Sequence, residues 1–206
     1  TERKRKRGYY LASAEGDPTR LQEFARILRG HQIEIEALTA DVTAEGKTFK
    51  AGEAIAIPLD QPQATYLETL WREQLEFEEN VFYDVSTWTL PWAFNLSHTR
   101  DAVTNAKTEA MSTTMDDDES KLGKSAIGYL IDWRDSASPA LLYDLLEAGA
   151  NVLVATAPFT ALTTNEGSIN FGNGTLFVAP KLQESIPQPV LSLLAEAQAE
   201  GLAIYP

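Results

Sequence analysis

The sequence predicts an α/β fold in which two strand-helix-strand halves of one design share a mostly parallel sheet. Three observations lead there. Gly8-Tyr9-Tyr10-Leu11 is matched about 120 residues later by Gly128-Tyr129-Leu130-Ile131, an internal repeat in the making. Both strings are followed by the same helix-start and helix-stop signals. The chain has 206 residues, 44% of them hydrophobic and 23% charged, an ordinary globular mix able to bury a core.

Taken in order, each strand opens with its Gly-Tyr string. Asp17-Pro18 and Ser138-Pro139 then place a capping residue ahead of a proline at the first helical position. The first helix carries Leu21, Phe24, Ala25 and Leu28 on one stripe; the second carries Leu141, Leu142, Leu145 and Leu146. Gly30 and Gly149 stand where a left-handed residue ends a helix. Ile33, Ile35 and Ala37 alternate with Glu34, Glu36 and Leu38, whereas Val152-Leu153-Val154-Ala155 is a continuous run, as for a strand covered on both faces. Turns at Gly46 and Gly167 follow. Phe49-Lys50-Ala51-Gly52 then matches Phe171-Gly172-Asn173-Gly174, leading into strands Ala54 to Pro58 and Leu176 to Pro180. A closing helix follows in each half, through Leu67, Leu70 and Trp71 or through Val190, Leu194 and Ala197. The second ends at Gly201, before Leu202-Ala203-Ile204-Tyr205. Strands joined by helices through short links imply parallel neighbours and right-handed crossovers. The expected organisation is a linker remnant at 1–7 and a single domain at 8–206. Its half-units, 8–100 and 125–206, are joined by an exposed acidic loop at 101–124 that contains Asp116-Asp117-Asp118-Glu119.

The net charge of −13 argues against nucleic acid as a partner, and no apolar run has the length of a membrane helix. No signal peptide is present and Thr1 is not an initiator methionine, so the chain reads as a piece of something longer. Cysteine is absent, which removes disulfides, thiolate metal sites and cysteine nucleophiles. With only His31 and His98, no three-histidine metal site is available within one chain.

The densest local chemistry runs from Phe77 to Phe94 and centres on Tyr83-Asp84-Val85-Ser86-Thr87-Trp88-Thr89-Leu90-Pro91-Trp92. Tyr83, Asp84, Ser86 and Trp88 are the candidate pocket residues: an indole beside short polar side chains can line a pocket or stack on a sugar or peptide. The plainer reading packs them into the core, with Asp84 or Ser86 as a cap. His31-Gln32-Ile33-Glu34 has the spelling of some zinc sites, but residues three apart on a strand point to opposite faces, so a surface histidine is the better reading. Ser86 with His98 could form a serine-type hydrolase pair, yet the Gly-x-Ser-x-Gly frame of a nucleophile elbow is missing. The 116–119 acid run lacks the alternating ligands and glycine turn of a calcium loop. Arg3 to Arg7 reads as an exposed linker, and the sequon spellings at Asn95 and Asn173 carry little weight.

The Gly8-Tyr9-Tyr10-Leu11 opening, the Gly-Lys-Thr-Phe-Lys-Ala-Gly turn at 46–52, Gln61-Pro62-Gln63 and above all the Tyr83 to Pro91 string give the chain a resemblance. It resembles the region C-terminal to the catalytic domain in large bacterial zinc carboxypeptidase-like proteins. Those proteins join a carboxypeptidase A-type peptidase domain to a domain similar to class I glutamine amidotransferases. The resemblance implies a three-layer α/β/α, amidotransferase- or flavodoxin-like fold. It also implies zinc held by the parent's peptidase domain, that upstream domain as the partner, and a periplasmic or extracellular setting. Self-association stays open. The peptidase's zinc ligands have no counterpart here and the amidotransferase cysteine is absent, so no catalytic residue and no metal ligand is carried over. The expected function is a non-catalytic accessory domain of a metallocarboxypeptidase-like hydrolase, serving substrate-entrance shaping, ligand binding or packing. A hydrolase using Ser86 and His98 and a free-standing small-ligand-binding module are the alternatives.

Overall fold

Strand β1 (Tyr9–Ser13) decides the architecture, because both of its neighbours come from far along the chain and run against it. The computed structural model of the chain describes residues 7–73, 89–111, 122–123, 125, 127–164, 166–179 and 188–206. Two compact units emerge. One comprises Thr1–Glu15 and Arg20–Thr113; the other comprises Gly16–Thr19 and Thr114–Pro206.

After β1, the chain forms α1 (Pro18–Gly30), β2 (Glu36–Leu38), the hairpin β3 (Val42–Ala44) and β4 (Lys47–Phe49), and then β5 (Ala54–Pro58). It continues through α2 (Ala64–Trp71), α3 (Leu90–Ala93), β6 (Ser97–His98) and β7 (Thr108–Ala110). The sheet order is β6-β1-β5-β2-β7, with every neighbouring pair antiparallel. β1 and β2 point the same way, as a helical crossover requires, but β5 lies between them and opposes both. Apart from the inserted hairpin and the extra edge strand β7, this is the β-α-β-β-α-β, or split βαβ (ferredoxin-like), arrangement.

The expected parallel, three-layer α/β/α, flavodoxin-like sheet is therefore corrected. Consecutive strands joined by a helix are not hydrogen-bonded neighbours here, because the chain returns through a hairpin and drops β5 into the gap. Among the described residues, helices cover one face of this sheet. Tyr10, Ala12, Ile55 and Ile57 meet Leu21, Phe24, Ala25 and Leu28 of α1 and Leu67 and Trp71 of α2. On the opposite face Leu11, Ala54 and Ala56 lie with Leu38, Val42, Phe49 and Val103, so a hairpin and an extended segment replace the third layer. Burial on both faces explains the unbroken apolar run of β5.

The second unit repeats the order: β8 (Tyr129–Ile131), α4 (Ser138–Glu147), β9 (Val152–Val154), the hairpin β10 (Phe159–Thr163) and β11 (Gly167–Phe171), β12 (Leu176–Val178), α5 (Gln188–Ala199) and β13 (Ile204–Tyr205). Its sheet, β13-β8-β12-β9, is again wholly antiparallel. Tyr129, Ile131, Leu176 and Val178 pack with Leu141, Leu145, Val190 and Leu194. The continuous run at Val152 to Ala155 suggested a strand covered on both faces. Instead β9 is the last strand of the sheet among the described residues, and Leu153 and Val154 are half exposed.

Two glycines show why the repeated opening string begins as it does. Gly8 has φ +119 and a Cβ there would lie 2.9 Å from the Val103 carbonyl; Gly128 has φ +152 and a Cβ there would lie 2.6 Å from both the Phe177 ring and the Val178 carbonyl. Neither position accepts a side chain. Gly149 is left-handed as its position after α4 suggested, and Ala150 N–H donates back to Leu145 O. After α1 that role falls to Gln32 (φ +60) rather than Gly30, with Ile33 N–H donating to Leu28 O.

Candidate functional site

Within the first unit, a short helix and a tight turn bring a buried histidine to the edge of a cleft. Pro91 sits in the first turn of α3, where its missing N–H costs nothing. The helix ends after one turn: Asn95 adopts φ +50, Leu96 N–H donates to Pro91 O at 2.9 Å, and Asn95 N–H donates to Trp92 O at 2.9 Å. The reversed chain enters β6 and places His98 beside β1, opposite Ala12.

His98 is 3% exposed. Its Nδ1 lies 3.1 Å from the Leu96 carbonyl oxygen, and its Nε2 lies 3.3 Å from Oε1 of Glu73, just past α2. Both neighbours offer oxygen acceptors, so each ring nitrogen is directed at one within the unit. The other Glu73 oxygen takes Nε of Arg100 at 2.9 Å. One carboxylate thus joins a buried ring to an exposed guanidinium. The His98 ring is also held by indoles: the edges of Trp71 and Trp92 approach with centroids at 6.0 and 6.4 Å. Trp71 is fixed in turn by a parallel stack on Tyr10 at 5.0 Å and by Nε1–H donating to Thr99 O at 2.8 Å. Thr99 Oγ1 accepts from Leu11 N–H at 3.0 Å, which ties the segment after β6 to β1.

In front of this pair lies a cleft of about 420 Å³. Trp92 forms one edge and is 41% exposed. Glu45 and Lys47 of the β3–β4 hairpin form another, with Arg100 and Asp101 between. Glu45 Oε1 accepts from the backbone N–H groups of both Arg100 and Asp101 at 2.8 Å, fixing that wall. The lining mixes both signs of charge around one aromatic face. It suits a polar ligand that presents a flat surface. Among the described residues that line it, none carries a hydroxyl or a thiol.

Of the sequence candidates, Tyr83, Asp84, Ser86 and Trp88 lie outside the described residues. The flanks of their segment are described. Thr89 Oγ1 donates to Arg72 O at 2.8 Å, so the chain leaves and re-enters beside Glu73 and Trp92. His31 is exposed at the end of α1, tilted against Tyr66 at 5.1 Å. No three His, Asp or Glu side chains converge as a metal site among the described residues. Glu73, Arg100 and Glu45 carried no motif and were not singled out by sequence. Their roles arise from pairing across the sheet and from a hairpin tip.

A second polar cluster lies within the other unit. Asp132 takes Arg134 through three side-chain bonds of 2.6 to 3.1 Å. Asp135 accepts from Ala137 N–H at 2.9 Å, ahead of α4, and from the Thr19 hydroxyl at 3.1 Å. Burial pushes the Asp135 carboxyl above the usual carboxylate range, against the pull of the Ala137 N–H and the Thr19 hydroxyl. Ser136 Oγ donates to Asp17 at 3.1 Å. Burial likewise raises the Tyr205 hydroxyl, with Glu166 adding to the shift. These groups brace the start of α4 and the end of the chain.

No protein-family model, no curated protein and no solved structure matches the chain.

Proposed function

We propose that this chain is a non-catalytic accessory module of a zinc carboxypeptidase-like protein, with the Trp92 cleft of its first unit as a ligand-binding surface. The observation that carries the reading is the position of the string on which the resemblance rests. Its last residues, Thr89, Leu90 and Pro91, lead into and build α3, and α3 presents Trp92 to the cleft. A string that specific is accounted for if it shapes a surface the parent protein uses. Zinc chemistry belongs, on this reading, to the peptidase domain. The described residues offer no converging ligands here, so no metal-dependent step is assigned to this chain.

The serine-hydrolase alternative needs His98 to take a proton from Ser86. The Nε2 atom it would use faces Glu73, and Nδ1 faces a carbonyl oxygen. A ring with both nitrogens engaged on these neighbours supports structure better than general-base catalysis. The test uses the parent polypeptide. Trp92→Ala should raise KM for peptide substrates several-fold with kcat unchanged, while the isolated chain hydrolyses neither peptides nor simple esters. Unchanged KM, or hydrolysis by the isolated chain that Ser86→Ala abolishes, refutes the reading.

A further inference from the structure

Strand β9 closes the second unit's sheet with an edge suited to pairing. Ala155 N–H donates to Thr175 O at 2.9 Å, and Ala155 O accepts from Gly174 N–H at 2.8 Å, so the polar groups of Ala155 face β12. Alternation along an antiparallel strand then turns N–H and C=O of Leu153 toward Phe177, its partner on β12. The same alternation turns those of Val152 and Val154 outward, away from the sheet. In the first unit the corresponding strand, β2, has an antiparallel strand in that place: β7 pairs Glu36 with Ala110 and Leu38 with Thr108. No strand holds the equivalent place on β9 among the described residues.

The side chains point the same way. Leu153 is 53% exposed, Val154 52% and Leu162 of the neighbouring hairpin 85%. From Ala148 to Asn165 the chain has no charged residue, although 23% of the whole is charged. The matching stretch of the first unit carries Glu34, Glu36, Asp41 and Glu45. Exposed edges are ordinarily defended by charge, proline, a bulge or a covering segment. Val152–Val154 has neither charge nor proline, and no described segment covers it.

We propose that β9 is a homodimer interface in which two copies of this chain pair antiparallel about a two-fold axis through Leu153. A second copy is the occupant the observations favour. The strand is its own complement, with Val152 opposite Val154 and Leu153 opposite Leu153, as an isologous contact demands. The uncharged stretch also lets two chains of net charge −13 meet without setting acid against acid. Val152 and Val154 exchange the hydrogen bonds, and the central leucines form the close, non-hydrogen-bonded pair. The apolar row Leu153, Phe177, Leu130 and Tyr205, aligned across the four strands, then continues into the partner. With so short a strand the contact is small, and half-dissociation is expected at about 10–100 μM. The inference is independent of the accessory-module reading.

The experiment is sedimentation equilibrium of the full chain from 1 to several hundred micromolar. The mass should rise from 22.7 kDa toward twice that value. Leu153→Lys, a change at an exposed position, should weaken association at least tenfold with an unchanged far-ultraviolet spectrum. The chain has no cysteine, so Leu153→Cys tests the register directly. On oxidation it should form a disulfide dimer faster than Ser168→Cys, which places the thiol on the exposed surface of β11. A chain that stays at 22.7 kDa throughout, association indifferent to Leu153→Lys in a folded variant, or equal cross-linking from positions 153 and 168 overturns the proposal.

Discussion

Removing the His98 side chain probes the core of the cleft most directly. His98→Ala leaves the Glu73 carboxylate, 15% exposed, without its imidazole neighbour, and leaves the Leu96 carbonyl without the ring nitrogen that faces it. It also opens a void beside Trp71 and Trp92. Leaving a buried acceptor unsatisfied typically costs about 1–3 kcal/mol, and the void adds to it. The remaining Arg100 contact and the exposed guanidinium soften that loss, so about 3 kcal/mol is expected here. For a urea slope of about 2 kcal/mol/M, the midpoint falls by about 1.5 M. Tryptophan emission provides the readout, because Trp71 and Trp92 flank the deleted ring. His98→Ala combined with Glu73→Ala should cost less than the two single changes added together, since no stranded carboxylate remains. A loss below about 0.5 kcal/mol for His98→Ala, or strict additivity in the double variant, would refute the pairing argument.

Two further outcomes follow from the second unit. The folded Asp135 carboxyl binds its proton more tightly than the unfolded one. Stability from this group is therefore full at acid pH and is lost as pH rises through the raised folded value. Asp135→Asn should flatten that part of the pH-stability curve and raise stability at neutral pH relative to the parent chain; denaturant titrations between pH 3 and 7 check this, and an unchanged slope contradicts it. Gly128→Ala should destabilise by about 3 kcal/mol, because its methyl group meets the Phe177 ring and the Val178 carbonyl in a backbone conformation few side chains adopt. Gly167→Ala, left-handed but with open space around it, should cost only about 1 kcal/mol in the same thermal melts.

The elements themselves were legible because they are written locally. The Leu21, Phe24, Ala25 and Leu28 stripe is the buried face of α1, and Gly149 stops α4. Strand order was not legible, since it depends on which distant segment reaches the β1 edge first. No local feature of Ala54–Pro58 says that it will pair between β1 and β2 rather than outside them. The cleft was not legible: the pocket residues expected were Tyr83, Asp84, Ser86 and Trp88, whereas the described lining includes Trp92, His98 and charged residues from the hairpin and the segment after β6. Glu73 and Arg100 are ordinary surface letters, and the turn at Asn95 brings His98 and Arg100 onto the one Glu73 carboxylate. The edge position of β9 was misleading for a related reason: a continuous apolar run describes a covered strand and an uncovered sticky one equally well.

The insertion of β5 between β1 and β2 has a consequence for synthesis. Neither β1 nor β2 has the other as a neighbour, so the first strand made cannot enter the central sheet until a segment about 45 residues later leaves the ribosome. At roughly 5–20 residues per second, that interval lasts about 2–9 s, during which Tyr9–Ser13 is an unpaired apolar strand. The second unit repeats the order, with β12 as the late arrival, and so passes through the same vulnerable interval. Each nascent half thus has its own window in which a chaperone, or the matching strand of a neighbouring nascent chain, competes with the segment that belongs there.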